Sequence, residues 1–249
     1  MNNTLENGFC VLKYLAETGE ELGVSEVAAR LGLPNSHACR LLKTLVETGY
    51  VVQTSRKYQI SLRILCMSNA RLKHLKLRQV GQPLIRRLCE IVNLECVLDA
   101  WCDSTAIIIA SESPRDNLVY DPGLIVGNVH HPVLSACGKI CSAYSDSGVP
   151  DGMDWSKGTA AASHSKEDFM ERLAQIRRDG FACMKSENAE NTGSVAAPVF
   201  NGDGSLAGAV GIVLPYGESF WTDELWSNCI KRVVEAGRAI TLAMKQEII

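Results

Sequence analysis

The sequence predicts an α+β protein of two modules, an N-terminal winged helix-turn-helix joined by a linker helix to a larger layer of strands with helices packed on it. Three observations carry this. Apolar residues at helical spacing between 24 and 47 are followed at once by an alternating stretch around TSRK. Charge is divided unevenly along the chain. Beyond residue 80, strand-like runs and amphipathic helices are mixed, with the last two strands flanking NGDG. The boundaries read as 1–62, 63–79 and 80–249.

Of the 249 residues, 46% are hydrophobic and 21% charged, which is enough apolar side chain for a proper core and excludes disorder as the general state. No apolar run approaches the roughly 18–20 residues that span a bilayer, and MNNTLENG is polar where a signal peptide is basic and then apolar, so a cytoplasmic protein with no membrane partner is expected. Ten cysteines are scattered without a CxxC pair and read as small buried hydrophobes in a reducing compartment. The net charge of −3 hides a contrast. Residues 1 to 79 carry eleven Lys and Arg against six acidic residues, a net +5, while residues 80 to 249 carry fourteen against twenty-two, a net −8. A basic module tied to an acidic one fits a nucleic-acid reader attached to something that does not touch phosphate.

In residues 5 to 18, Leu5, Phe9, Leu12 and Leu15 predict a first helix with one apolar face, ended by Gly19. Ser25 is a natural N-cap for a short second helix burying Val27, Ala28 and Leu31 and stopping at Gly32. After a turn at Pro34, Asn35 or Ser36 can cap a third helix whose buried stripe is Ala38, Leu41, Leu42, Leu45 and Val46. Its opposite face presents His37, Arg40, Lys43 and Thr44, the chemistry a helix needs in a major groove, where Arg pairs with guanine. YVVQTSRKYQISL reads as a hairpin, a wing with Arg56 and Lys57 at its tip placed for phosphates or the neighbouring minor groove. Ser25 and Ser36, at the helix starts, complete the expected DNA-contacting set.

Residues 62 to 79 carry Leu65, Leu72 and Leu75 among Arg71, Lys73, Lys76 and Arg78 and read as one basic amphipathic helix. Helix continues over 83 to 93 with Leu84, Leu88 and Ile91 inward; ECVLDAW and AIIIASE are strands, and a loop-rich stretch follows with Pro114, Pro122 and Gly123. A short helix begins near Ser135. KEDFMERLAQIRRDG is an amphipathic helix ending at Gly180, SVAAPVF and LAGAVGIVL are strands, and a helix from about Thr222 to Lys245 closes the chain.

LPNSHACRLLKTLVETGY, residues 33 to 50, resembles the recognition-helix segment of IclR-type transcriptional regulators, L-P-x-S-T-x-x-R-L-L-x-T-L-x-x-x-G-Y/F. His37 stands where that family usually has Thr, and Arg63 where a Gly commonly follows the wing. SACGK at 135–139, IRRDGFACMKSE at 176–187 and SVAAPVFNGDGSLAGAVGIVLP at 194–215 are similar to the family's effector domain. The resemblance implies a GAF-like fold there and a pocket for a small organic acid at the turn into the helix after Ser135. A helix N-terminus suits a carboxylate because it offers unpaired N–H groups and the positive end of its dipole. Ala136 and Cys137 would offer those N–H groups, with Ser135 as a neighbouring hydroxyl, and, carried over position by position, Met184, Ser194, Gly211 and Val213 would form the wall. Members that bind keto acids often have an acidic residue at the first wall position and hydroxyls at the last two. The pocket here is greasier and points to a larger, aromatic or medium-chain acid.

The same residues also fit a packed strand core. Cys137, Cys141, His130 and His131 raise a thiol nucleophile or a zinc site, but no H-x-x-x-H, paired-Cys or G-x-S-x-G pattern accompanies them, so no metal, cofactor or catalysis is expected. A thiol pKa lowered by the helix N-terminus would allow Cys137 a redox-sensing role. The sequence thus supports a ligand-responsive regulator, a homodimer or dimer of dimers on a palindromic operator in double-stranded DNA. The rival is a metabolite-binding or Cys137-dependent enzyme domain whose winged module makes protein contacts.

Overall fold

The computed structural model describes residues 3–102, 104–114, 124–145, 148–149 and 152–246. The expected loop at Pro122 and Gly123 lies outside them. Two compact units are formed, Met1–Lys73 and His74–Ile249.

The first unit opens with α1 (Asn3–Thr18), which buries Val11 and Leu15 but leaves Leu5 61% and Phe9 65% exposed, so the apolar face read from the sequence is only half covered. A short strand, β1 (Leu22–Gly23), precedes α2 (Val24–Leu31). Because β1 pairs with β3 (Lys57–Ile60), Gly23 is held extended beside the helix and takes the cap position; its N–H donates to Glu26 at 2.6 Å. Ser25 is therefore the second helical residue and not the N-cap. Gly32, at φ 64°, ends α2 in a left-handed conformation that suits glycine.

Neither Asn35 nor Ser36 caps α3 (Asn35–Glu47). Pro34, with its fixed φ, is the N-cap, and its carbonyl accepts the His37 and Ala38 N–H groups at 2.9 and 3.0 Å. Of the expected stripe, Ala38, Leu41 and Leu42 are buried, the two leucines in one core with Val11, Val27 and Tyr58, while Leu45 and Val46 pack against it partly buried. β2 (Val51–Thr54) and β3 make the wing in the register Thr54↔Lys57, with Ser55 at φ 60° in the turn. Sequence reasoning missed β1, whose two residues are too few for periodicity to register.

One helix over the linker does not form. α4 (Ile64–Lys73) stops before His74, Leu75 is extended, and α5 (Lys76–Val92) begins anew. The reason lies in burial: α4 buries none of its residues, whereas α5 buries Leu77, Gly81, Ile85 and Leu88, so no common stripe ties the two to one axis.

The second unit is a six-stranded antiparallel sheet in the order β6-β5-β4-β9-β8-β7. Its strands are β4 (Glu95–Cys102), β5 (Thr105–Glu112), β6 (Val129–His130), β7 (Ala182–Lys185), β8 (Gly193–Phe200) and β9 (Leu206–Val213). α5 and α8 (Asp223–Lys245) pack on one face, where Gly81 meets Leu98 and Gly237 meets Ala197 and Val210. α6 (Ala136–Tyr144) lies against β7, β8, β9 and β5, and α7 (Lys166–Asp179) packs on α6. The inward face of α5 is turned from expectation: Ile91 is 51% exposed, because the contact runs through Gly81, which hydrophobicity alone does not flag.

Candidate functional site

In the first unit, Ser36, Arg40, Lys43 and Thr44 are exposed along α3, Arg56 and Lys57 are exposed at the wing turn, and Ser25 is exposed at the start of α2. His37 is half-buried and positions its neighbours. The Arg40 guanidinium donates to His37 Nδ1 at 3.1 Å, and the side-chain amide of Asn7 stands 3.3 Å from His37 Nε2. A guanidinium has no acceptor, so in that contact Nδ1 receives the hydrogen bond. Thr44 turns its hydroxyl back to the Arg40 carbonyl at 3.1 Å. Arg63 lies over Gly49 and donates to the Thr48 carbonyl at 3.4 Å, so its side chain covers the C-terminal end of α3.

In the second unit, Ser135 is the N-cap of α6: its hydroxyl accepts from Gly138 N–H at 2.9 Å and donates to the His131 carbonyl at 2.9 Å. That hydroxyl is already engaged. The donors of the first turn that the cap leaves over are the N–H groups of Ala136 and Cys137. Met184, Ser194 and Val213 face one another in a row across β7, β8 and β9, and Gly211 lies two residues along β9 on the same face. A Cβ on Gly211 would stand 2.7 Å from Cys137 Sγ, so its absence makes room for the thiol. The wall and the helix start therefore meet.

A lowered Cys137 pKa is overturned. Burial, reinforced by the charge of Asp99, pushes the thiol well above its ordinary range, against any gain from the helix dipole. That removes the activated nucleophile from the thiol-enzyme reading. His131 is structural: its Nδ1 accepts the N–H groups of Val133 and Leu134 at 3.2 and 3.3 Å, and burial lowers its pKa. Below the pocket, buried Lys139 donates to both Glu187 oxygens at 2.5 Å and to the Cys183 carbonyl at 3.3 Å, and Arg172 stands 3.4 Å from Glu187.

Sequence reasoning missed Asp99. It is fully buried on the α6 face of β4, and its Oδ2 lies 2.5 Å from His130 Nδ1. Burial pushes the His130 pKa down, but the hydrogen bond and the charge of Asp99 outweigh it, and the imidazole ends above its ordinary value. Asp99 Oδ1 has no hydrogen-bond partner. The pair joins residues 31 apart in sequence, brought together when β6 adds to β5 opposite Ala106. The one sequence signal was an Asp inside an otherwise apolar strand.

Residues 69–242 match the family described as bacterial transcriptional regulator IclR C-terminal, and residues 4–55 match the IclR helix-turn-helix domain. The transcriptional repressor IclR of Escherichia coli is 28% identical, covering 96% of this chain and 89% of its own. An IclR transcriptional regulator from Alicyclobacillus acidocaldarius superposes with a TM-score of 0.81 at 20% identity, covering 98% of this chain and 99% of that one. An IclR homologue from Microbacterium hydrocarbonoxydans, solved in complex with 4-hydroxybenzoate, gives a TM-score of 0.75 at 18% identity over 96% and 99% of the two chains. Both halves, the winged helix-turn-helix and the GAF-like sheet domain, thus agree, and the chain belongs to the IclR family of DNA-binding transcriptional regulators.

Proposed function

We propose that the second unit binds a small organic acid, aromatic or of medium chain length, and that this binding shifts the affinity of the first unit for its operator. The observation that carries the reading is the meeting of two spare N–H donors, Ala136 and Cys137, with a sheet face on which Met184, Gly211 and Val213 are apolar and Ser194 alone offers a hydroxyl. The 4-hydroxybenzoate held by one relative belongs to the same chemical class. On the DNA side, Arg40 and Lys43, with Ser36, His37 and Thr44, form the groove-facing set, and Ser25, Arg56 and Lys57 the phosphate-facing one.

A single module of this size makes few base contacts, so the working form is a homodimer or dimer of dimers on a palindromic site, acting in the cytoplasm. The exposed Leu5 and Phe9 on α1 offer an apolar face for a second copy. No helix among the described residues is long and apolar enough to cross a membrane. The test is a thermal-shift screen of carboxylic acids that includes 4-hydroxybenzoate. An acid that raises the melting midpoint of the wild type and loses most of that effect in Ser194→Ala supports the pocket; an effect unchanged by Ser194→Ala removes it.

A further inference from the structure

The pocket contains an electrostatic contradiction. Its helix start favours an anion, yet a buried carboxylate, Asp99, stands beside the same helix start, with its ligand atom within 4.8 Å of those of His130 and Cys137. An acid entering beside a buried carboxylate that only His130 partners meets like-charge repulsion at low dielectric. Among the described residues this is the one group of three such side chains close enough to share an ion.

We propose that Asp99, His130 and Cys137 bind a divalent transition metal, zinc foremost, with a fourth position left for the carboxylate of the effector. The donor set is one oxygen, one nitrogen and one sulfur, which suits zinc and excludes magnesium and calcium, whose ligands are oxygens. Charge closes as well. With neutral His130, a carboxylate and a thiolate bring two negative charges, and a divalent ion cancels them, so the burial of Asp99 and Cys137 becomes a neutral arrangement. Asp99 Oδ1, buried and without a hydrogen-bond partner, has a lone pair free for a donor or a cation. Geometry agrees: in a tetrahedral zinc site, metal–ligand bonds of about 2.0–2.3 Å put donor atoms ~3.3–3.8 Å apart. The three atoms here lie within 4.8 Å of one another, a spread that side-chain rotation can close. The missing Cβ of Gly211 supplies room at the sulfur, and the β5 register shift opposite Leu98 and Asp99 is the kind of irregularity that re-aims a strand residue.

On binding, the Cys137 S–H bond breaks, a metal–sulfur bond forms, and the proton leaves to solvent together with any proton held between His130 and Asp99. No electron changes hands. Three protein ligands leave an open coordination position, as in zinc sites that take up an exogenous ligand. The role of that position rests on the effector-pocket reading above; the metal site itself does not.

The test uses the full chain, stripped with a chelator and titrated with Co2+ in the absence of any acid or DNA. The expected result is one equivalent bound per chain, with the near-ultraviolet charge-transfer band of a cobalt–thiolate bond and the visible absorption of a tetrahedral ion, both removed by competing Zn2+. Cys137→Ser should abolish the charge-transfer band despite the other nine cysteines. His130→Gln and Asp99→Asn, each exchanging one donor, should weaken binding by at least about tenfold. Absence of a thiolate band in the wild type, or wild-type affinity in His130→Gln and Asp99→Asn, overturns the proposal even if Cys137→Ser fails to fold. Since no acid is present, that negative result leaves the effector pocket to be judged by its own screen.

Discussion

At the scale of single residues, the proposed DNA recognition rests on how Arg40 is held. Its contact with His37 Nδ1 restrains an exposed guanidinium before any base is met. Arg40→Ala should cost about 1–3 kcal/mol of discrimination at one base pair and leave folding unchanged, as read by competition gel shift with mutated operators. His37→Ala should leave phosphate affinity in place but relax the base preference at that same position. Arg56→Ala and Lys57→Ala should act differently, weakening all sequences alike and each lowering the slope of log affinity against log salt by about one. These residues were legible in the sequence because each lies on one helix face or one turn, where spacing alone fixes exposure. Asp99 was not, because its meaning depends on His130 and Cys137 from two other elements.

At the scale of elements, α6 is the part on which the proposed pocket depends, and two devices fix it. Ser135 caps its first turn, and Ser135→Ala should lower stability by about 1 kcal/mol in a denaturant titration. Lys139 ties the middle of α6 to Glu187 through a buried ion pair. Lys139→Met leaves buried Glu187 charged with only the partly exposed Arg172 beside it and should cost up to roughly 3–5 kcal/mol, whereas Lys139→Met combined with Glu187→Leu should recover most of the loss. A double variant as unstable as the single one would show that packing, and not charge, is what Lys139 supplies. The long elements, α3, α7, β8, β9 and α8, were readable because each holds its periodicity over several turns or pleats. β1, β6 and β7, of two, two and four residues, were not, since their pairing is decided by strands far away in the chain. The break at Leu75 was hidden for a related reason: composition continues across it, while burial does not.

At the scale of the whole molecule, the division of charge was the most informative signal, because a basic unit and an acidic one must meet different partners. It identified the DNA-binding half and, with the resemblance of both halves to one family, the regulator. It could not identify the ligand, whose selectivity, on the proposed reading, is set by a few side chains meeting across β7, β8, β9 and α6. Coupling between the units requires that the acid favour one state of the protein over another by a definite free energy, since equal affinity for both shifts nothing. The most direct measurement is a fluorescence-anisotropy titration of the full chain against the DNA upstream of its own gene, over a salt series, with and without the acid selected by thermal shift. The account predicts saturable, salt-dependent binding that Arg40→Ala weakens and that the acid changes by at least about fivefold. An acid that stabilises the protein yet leaves DNA affinity unaltered at every salt concentration would contradict it.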